Sequence, residues 1–344
     1  MTDSICILPN TTGLGGPPSF QAKLIQGLQA RGIPAHHDPL DPTCRAVLVI
    51  AGTKRLDLLI RAKQRGLPIV QRLNGLNWMH KKRKTGWKHY LKSEWGNWLL
   101  STIRRNLADR IIYQSQFARQ WWHTVYGAVK TPNRIIYNGV DLSLYTPVGA
   151  ERPPEDFYRV LLVEGHLKGG MEQGLETAVT LVNQLNLELA KPVELMVVSD
   201  VPPSIREKMD EHSASPIRWE GVVPRSQVPA MDRSAHILFS ADLNASCPNA
   251  VIEALACGLP VAAYATGALP ELVTGDSGRV VPYGSDYWNL QPPDVNVLVR
   301  GVNEILADLP RFQTAARQRA EEAFSLDGMV DAYLEVLLGA GPGV

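Results

Sequence analysis

The sequence is poor in cysteine and has no long apolar runs, and each deficit excludes a class of protein. Its four cysteines form no Cys-x-x-Cys pair and share no ligand spacing with histidine, which argues against a disulfide framework and a zinc knuckle. No stretch of about 18 apolar residues occurs, so we expect no membrane-spanning helix. The opening MTDSICILPN lacks the basic and apolar regions of a signal peptide. We therefore expect a cytoplasmic protein with reduced thiols.

Net charge is also nearly absent. The 344 residues include 35 Lys and Arg against 34 Asp and Glu, a balance that does not suit a surface built for nucleic acid, and we expect no such partner. Apolar residues are abundant at 45%, enough for a sizeable core. The length suits two domains of about 150 residues each.

Strand-like and helix-like segments alternate along the whole chain. Short apolar runs separated by amphipathic stretches predict parallel strands covered by helices on both faces, an α/β fold with doubly wound sheets. The proline-rich loop 146–157 interrupts this pattern, which then restarts. We predict a first domain over 1–147, a second over 148–326, and a terminal helix over 327–344 that packs back toward the first. Ligands of such sheets bind at the carboxyl ends of the strands.

Segment 240–273 is the most informative part of the chain, because a strand, a short loop and a helix follow one another there. The unpaired amides and the positive dipole end make a helix N-terminus an anion site. The candidate phosphate-binding amides are those of Asn249, Ala250 and Val251. Glu253, one turn further on, can accept two hydrogen bonds from a ribose. An ordinary crossover helix with a solvated Glu253 is the alternative.

The same segment resembles the nucleotide-sugar motif of the retaining GT-B glycosyltransferases of family 4, written Glu-x7-Glu with Pro-Asn between and a Gly-x-Pro-Val tail. The residues that fall in step are Pro248, Asn249, Glu253, Gly258, Pro260, Val261, Gly267 and Glu271. Segment 138–147 is similar to the Asn-Gly-Val-Asp stretch that closes the N-terminal domain in that family.

This resemblance implies two Rossmann-like domains that face each other across a cleft, with the acceptor side on the first and the nucleotide sugar on the second. It implies a retaining transfer from a UDP- or GDP-linked sugar to a glycan, a lipid-linked or another small acceptor. Transfer in that family usually proceeds without an essential metal, so we expect no metal site and no required cofactor.

One position departs from the motif. Ala245 stands where the family has its first glutamate, which faces the donor sugar, so the reacting end loses a carboxylate. Asn244 or Asp242 is a candidate substitute. Two alternatives to a transferase therefore stay open. One is a weak or inactive relative that binds nucleotide sugar as a partner or sensor, and the other is a nucleotide-sugar epimerase.

A second departure lies in 163–176, where the family has a Gly-Arg-Leu turn followed by Lys-Gly. Here His166 takes the arginine position and Lys168 arrives early. A cation at this point stabilises the negative charge that develops on a leaving diphosphate, so Lys168 and His166 are candidate catalytic residues. Gly169 would let a backbone amide approach the phosphates. A plain glycine-rich turn with an exposed lysine is the alternative.

Two loops in the first half carry further candidates. Gly15 and Gly16 are expected close to the donor, whereas a dinucleotide-binding loop is excluded because Pro18 occupies its third glycine position. Asn74 ends a strand where the family often has a histidine that touches the donor sugar. We expect Asn74, with Arg72, to contact sugar or acceptor, the alternative being an Asn-Gly turn beside a surface arginine.

Segment 78–110 is locally basic and rich in tryptophan. It holds nine Lys and Arg against two acidic residues, and four of the eight tryptophans. One interpretation is a surface for an anionic membrane, which would place the protein peripherally on the cytoplasmic face, or for a lipid-linked acceptor. The preferred interpretation is a helix that buries its tryptophan face in the core and leaves its charges solvated. The residues predicted on that face are Leu91, Trp95, Trp98, Leu99 and Ile103.

Overall fold

The computed structural model describes residues 3–11, 13, 15–83, 86–167 and 172–339, and these form two compact units. The first unit comprises the described residues up to Gly139 and those from Ser325 onward. The second unit runs from Val140 to Phe324.

The first unit is built on a six-stranded parallel sheet. Its strands are β1 (Ser4–Leu8), β2 (Ala35–His36), β3 (Cys44–Ile50), β4 (Ile69–Leu73), β5 (Arg110–Tyr113) and β6 (Asn133–Ile135). The order across the sheet is β2-β1-β3-β4-β5-β6. β1 and β4 are buried along their whole length, as expected for parallel strands with both faces covered. The helices between these strands are α1 (Gly16–Ala30), α2 (Leu56–Gln64), α3 (Trp87–Asn106) and α4 (Gln116–Tyr126).

The second unit contains another six-stranded parallel sheet. Its strands are β7 (Tyr158–His166), β8 (Val193–Asp200), β9 (Ile217–Trp219), β10 (Ile237–Ser240), β11 (Val261–Tyr264) and β12 (Gly278–Val281). They lie in the order β12-β11-β10-β7-β8-β9. Its helices are α5 (Gln173–Glu188), α6 (Pro203–His212), α7 (Val228–Arg233), α8 (Asn249–Ala256), α9 (Leu269–Leu272), α10 (Val295–Ala307) and α11 (Leu309–Ala323).

The last helix, α12 (Leu326–Leu338), belongs to the first unit and packs on α1. The rings of Phe20 and Tyr333 lie 5.1 Å apart, centroid to centroid. Gly27 permits this close approach, since a Cβ at that position would lie 2.4 Å from Val330 Cγ2. α12 therefore completes the hydrophobic core of the first unit.

The two doubly wound sheets confirm the α/β class predicted from the sequence. In the second unit the chain runs outward from β7 through β8 to β9, and then from β10 through β11 to β12 in the opposite direction. The switch point between β7 and β10 is the place where open α/β sheets bind ligands. Within the described ranges, no helix has the length and apolarity needed to cross a bilayer.

Candidate functional site

The candidate site lies at the carboxyl edge of the second sheet, at the ends of β7 and β10. These strands are hydrogen-bonded neighbours, with Val160 opposite Ile237 and Leu161 opposite Leu238. Because the strand order reverses between these two strands, their carboxyl ends form the kind of switch point at which open α/β sheets bind ligands. The polar segments 164–167 and 241–249 stand at this edge.

α8 begins after β10, at this edge of the sheet. Pro248 is its N-cap in an extended conformation (φ −68°, ψ 125°), and the helix runs from Asn249. As the N-cap, Pro248 has no side-chain oxygen that could accept a hydrogen bond from the first amides of the helix. The first amides of α8 lack intrahelical partners, and the positive end of the helix dipole coincides with them. Asn249 and Ala250 are half-buried, whereas Val251 is buried.

Glu253 lies on the second turn of α8 and is half-buried. Its carboxylate influences a second acid, Asp232 on α7. Burial, and then the Glu253 carboxylate, raise the pKa of Asp232 well above its usual range. Asp232 therefore holds its proton more tightly than an exposed aspartate, which limits the negative charge beside this helix.

The loop after β11 packs closely against Ala245, the residue that stands at the position of the motif glutamate. Gly267 has a φ of +58°, and a Cβ there would lie 2.6 Å from both the N and the O of Ala245. The amide of Ala268 donates a 2.8 Å hydrogen bond to the Ala245 carbonyl. Ala245 itself is buried. The glycine is thus required by both its left-handed φ and the contact with the 244–245 backbone.

Asn244, next to Ala245, is a strained and unsatisfied polar residue. Its φ is +61°, its side chain is only 4% exposed, and neither amide atom has a hydrogen-bond partner among the described residues. Thr266 Oγ1, on the facing loop, is likewise buried without a partner in that part of the chain. An unsatisfied buried polar group costs about 1–3 kcal/mol, a cost that persists at sites where function requires it.

Two half-buried carboxyl groups flank the switch point. Glu164 lies near the end of β7, and Asp242 follows β10 by two residues. Burial, and then the neighbouring Asp242, raise the pKa of Glu164 well above its usual range. Burial raises the pKa of Asp242 to about 6. The sequence analysis missed Glu164, although a glutamate inside an apolar strand, directly before a glycine, was a signal for it.

His166 is the last residue of β7 and is exposed, opposite Asp200 at the end of β8. It therefore stands at the same edge of the sheet as α8. The other two candidates of this turn, Lys168 and Gly169, lie outside the described residues.

In the first unit, Asn74 follows β4 and is held rigidly. Its Oδ1 accepts a 2.9 Å hydrogen bond from Arg72 Nη1, and its carbonyl accepts one of 2.7 Å from Trp122 Nε1. Arg72 is fully buried, donates to Asn138 Oδ1 at 2.8 Å and stacks 3.7 Å from the Phe20 ring centroid. The interpretation of Arg72 as a surface residue is therefore wrong. Arg72 positions Asn74.

Gly15 and Gly16 stand at the start of α1, Gly15 as its N-cap and Gly16 as its first residue. No described atom lies within 4 Å of the Cβ that either glycine lacks. No described neighbour therefore requires a glycine at either position.

The sequence-based assignment of the tryptophan face of α3 is wrong in part. Leu99 and Ile103 are buried as expected, but Leu91, Trp95 and Trp98 are exposed. The helix instead turns small polar residues inward. Asn97 accepts a 3.0 Å hydrogen bond from the Asn77 amide and returns one of 2.8 Å to its carbonyl.

A cavity of about 450 Å³ in the second unit does not include the residues of the switch point. Asp232, Cys257, Arg233 and Arg317 are among its lining residues. Arg233 is paired with Glu151 at 2.7 Å, and Arg317 donates to the Ala256 carbonyl at 2.7 Å. The cavity holds none of the site residues predicted from the sequence. No cluster of three metal-ligating side chains occurs among the described residues.

Solved glycosyltransferases share this fold. Sucrose-phosphate synthase from Thermosynechococcus elongatus matches with a TM-score of 0.72 at 17% identity, covering 98% of both chains. HepE from Anabaena, in complex with UDP and glucose, matches with a TM-score of 0.68 at 14% identity, covering 97% of this chain and 99% of the other. The architecture is thus that of the GT-B glycosyltransferases.

Two family models match the sequence itself. "Glycosyl transferases group 1" matches residues 159–308, and "Glycosyltransferase Family 4" matches residues 48–144. The chain belongs to this glycosyltransferase family, which confirms the resemblance inferred from the motifs. A phosphatidylinositol N-acetylglucosaminyltransferase subunit from Arabidopsis thaliana is 25% identical over 207 residues. That match covers 59% of this chain but only 42% of the relative.

Proposed function

We propose that this protein transfers a sugar, with retention, from a UDP-linked donor to a glycan or lipid-linked acceptor. The observation that carries the proposal is the start of α8 at the switch point of the second sheet, with Glu253 on its second turn. UDP is preferred over GDP because the similar HepE structure contains UDP and glucose.

Each candidate residue has a role in this proposal. The amides of Asn249, Ala250 and Val251 bind the diphosphate, and Glu253 accepts hydrogen bonds from the ribose hydroxyls. Lys168, His166 and the Gly169 amide neutralise the charge that builds up on the leaving diphosphate. The absence of side chains at Gly15 and Gly16 lets the backbone there lie close to the donor. Asn74 contacts the sugar or the acceptor.

The proposed chemistry needs no protein nucleophile. The bond between the sugar and the diphosphate breaks, the acceptor hydroxyl attacks from the same face, and its proton passes to the departing phosphate oxygen. Ala245 provides no carboxylate for this step. The polar groups that remain near the reacting end are those of Asn244, Asp242 and Glu164.

Calorimetric titration with UDP, GDP and ADP tests the donor assignment. We expect UDP to bind, and Glu253→Ala to weaken it by about 1.5–3 kcal/mol because two ribose hydrogen bonds to a carboxylate are lost. Glu207→Ala is the matched control, since Glu207 is an exposed glutamate on α6 of the same unit. Unchanged UDP affinity in Glu253→Ala would place the nucleotide elsewhere.

Ala245 favours a second candidate, a protein that binds nucleotide sugar without turning it over. The two candidates differ in whether UDP is released from UDP-sugars in the presence of glycan and lipid-linked acceptors. Release of UDP with formation of a glycosylated product supports the transferase. Tight binding of the UDP-sugar without product across the acceptor panel supports the binding protein.

A further inference from the structure

The first three turns of α3 present a row of large apolar side chains to solvent. Trp87 is 70% exposed, Trp95 57% and Trp98 50%. Tyr90 and Leu91 are exposed beside them. The spacing 87, 91, 95 and 98 places four of these side chains on one side of the helix. We name this set, Trp87, Tyr90, Leu91, Trp95 and Trp98, the α3 aromatic surface.

The opposite side of α3 fixes this orientation. Asn97 is held by its two hydrogen bonds to Asn77, and Gln71 Nε2 donates to the Leu100 carbonyl at 3.1 Å. Glu94, which lies beside the tryptophans and not opposite them, accepts a 2.7 Å hydrogen bond from His80 at their edge. A rotation of the helix that buried the tryptophans would break these bonds. The aromatic side chains are therefore held outward, with the Trp95 and Trp98 rings 4.9 Å apart.

The charge around the α3 aromatic surface is predominantly positive. Lys81, Lys82, Lys88 and Lys92 are exposed, and Arg83 is half-buried. The only acidic residue in the sequence between 78 and 106 is Glu94, which pairs with Lys81 at 3.1 Å. A nearly neutral protein thus concentrates cations at a helix that exposes three tryptophans. Amphipathic aromatic rings beside lysines match the headgroup layer of a membrane that carries anionic lipids.

We propose that the α3 aromatic surface docks the protein on anionic phospholipid bilayers, with the helix lying in the membrane plane. The aromatic side chains enter the headgroup layer, and the neighbouring lysines and Arg83 contact lipid phosphates. This goes beyond the proposed transfer reaction, because it requires neither donor nor acceptor. Charge complementarity favours the anionic bilayer over a neutral one, and the apolar exposed area favours it over nucleic acid.

Sedimentation with vesicles tests the proposal, using phosphatidylcholine alone or with about 30% phosphatidylglycerol. We expect binding to the anionic vesicles at least ten-fold tighter than to the neutral ones, decreasing as salt is raised. Tryptophan fluorescence should shift to the blue on binding. The triple variant Trp87→Ser, Trp95→Ser, Trp98→Ser should lose at least ten-fold in affinity, and so should Lys88→Glu with Lys92→Glu.

The matched controls have the same kinds of change elsewhere. Lys54→Glu with Lys130→Glu alters the charge equally within the first unit, and Leu187→Ser removes an apolar side chain that is 85% exposed. Both should bind anionic vesicles as the unchanged protein does. We expect every variant to fold, because the substituted side chains are exposed. Thermal unfolding of each variant checks this.

Three results would overturn the proposal: no vesicle binding, equal binding to both vesicle types, or full binding by the triple variant. Preference for an RNA or DNA oligonucleotide over anionic vesicles would also overturn it. None of these results bears on UDP binding, so the donor assignment stands or falls separately.

Discussion

Glu164 and Asp242 stand at the ends of neighbouring strands of the second sheet, and each holds its proton more tightly than a carboxyl group in water. The pair lies at the switch point, close to the start of α5, where a Cβ on Gly174 would lie 2.7 Å from the Ala241 Cβ. A protonated acid can donate a hydrogen bond as well as accept one. In the proposed reaction the pair offers the donor sugar both kinds of contact, whereas the side chain of Ala245 can form no hydrogen bond.

The raised pKa of Asp242 predicts a loss of stability with rising pH. Its value is about 6 in the folded protein against an ordinary 3.8, so the folded state binds the proton more tightly. The contribution is complete below about pH 4 and is lost as the pH rises through about 6. Urea unfolding measures the free energy of unfolding at about pH 4 and 7.5. Between these two values we expect the decrease in that free energy to be about 2–3 kcal/mol smaller for Asp242→Asn than for the unchanged protein.

Asp156→Asn controls for this pH effect, because Asp156 is an exposed aspartate of the same unit. Its stability should follow that of the unchanged protein across the range. Parallel pH profiles for Asp242→Asn and the unchanged protein would show that Asp242 ionises normally.

Much of the fold follows from the sequence because apolar periodicity and helix-start residues are local signals. The runs around 46–52 and 68–73 became β3 and β4, and Pro248 caps α8 as its position indicated. Such strands are buried on both faces, so their composition alone separates them from the crossover helices.

The orientation of a side chain on its element was harder to predict, since it depends on distant partners. Trp95 carries the apolar area that normally turns inward, but the Asn97–Asn77 hydrogen bonds decide which side of α3 is buried. The sequence left Arg72 open as a contact for sugar or acceptor or as a surface cation, yet it is fully buried against Phe20 and donates to Asn74 and Asn138, residues up to 66 positions away. Neither arrangement leaves a local signal in the sequence.

Asn244 is predicted to trade stability for donor binding. Asn244→Gly removes two unpartnered buried polar atoms and suits the left-handed φ of +61°, so unfolding free energy should rise by about 1 kcal/mol. Asn244→Asp, of the same size, should instead lose more than about 2 kcal/mol because it buries a charge. If the amide contacts the sugar, Asn244→Gly weakens UDP-sugar binding and leaves UDP binding unchanged, as calorimetry can measure.

For this residue the contradicting result is a fall in stability of Asn244→Gly together with unchanged affinity for the UDP-sugar. The amide would then be a structural element of the loop. Thermal unfolding of both variants, done alongside the titrations, separates the two effects.

A comparison of Gly267 with Gly275 measures the energetic effect of the close contact between Gly267 and Ala245. Both have a φ of +58°, but a Cβ at Gly275 would meet nothing within 4 Å among the described residues, whereas one at Gly267 would lie 2.6 Å from backbone atoms of Ala245. Gly275→Ala should therefore cost only the left-handed penalty, about 1–2 kcal/mol. Gly267→Ala must also push two loops apart and should cost at least about 2 kcal/mol more.

Urea unfolding of the two alanine variants measures this difference directly, because the backbone penalty cancels between them. The displaced 244–245 loop should also weaken UDP-sugar binding in Gly267→Ala, while Gly275→Ala binds normally. If both variants lose the same unfolding free energy, the two loops can move apart at no energetic cost. In that case the contact with Gly267 does not hold Ala245 in place, and other contacts fix the backbone at that position.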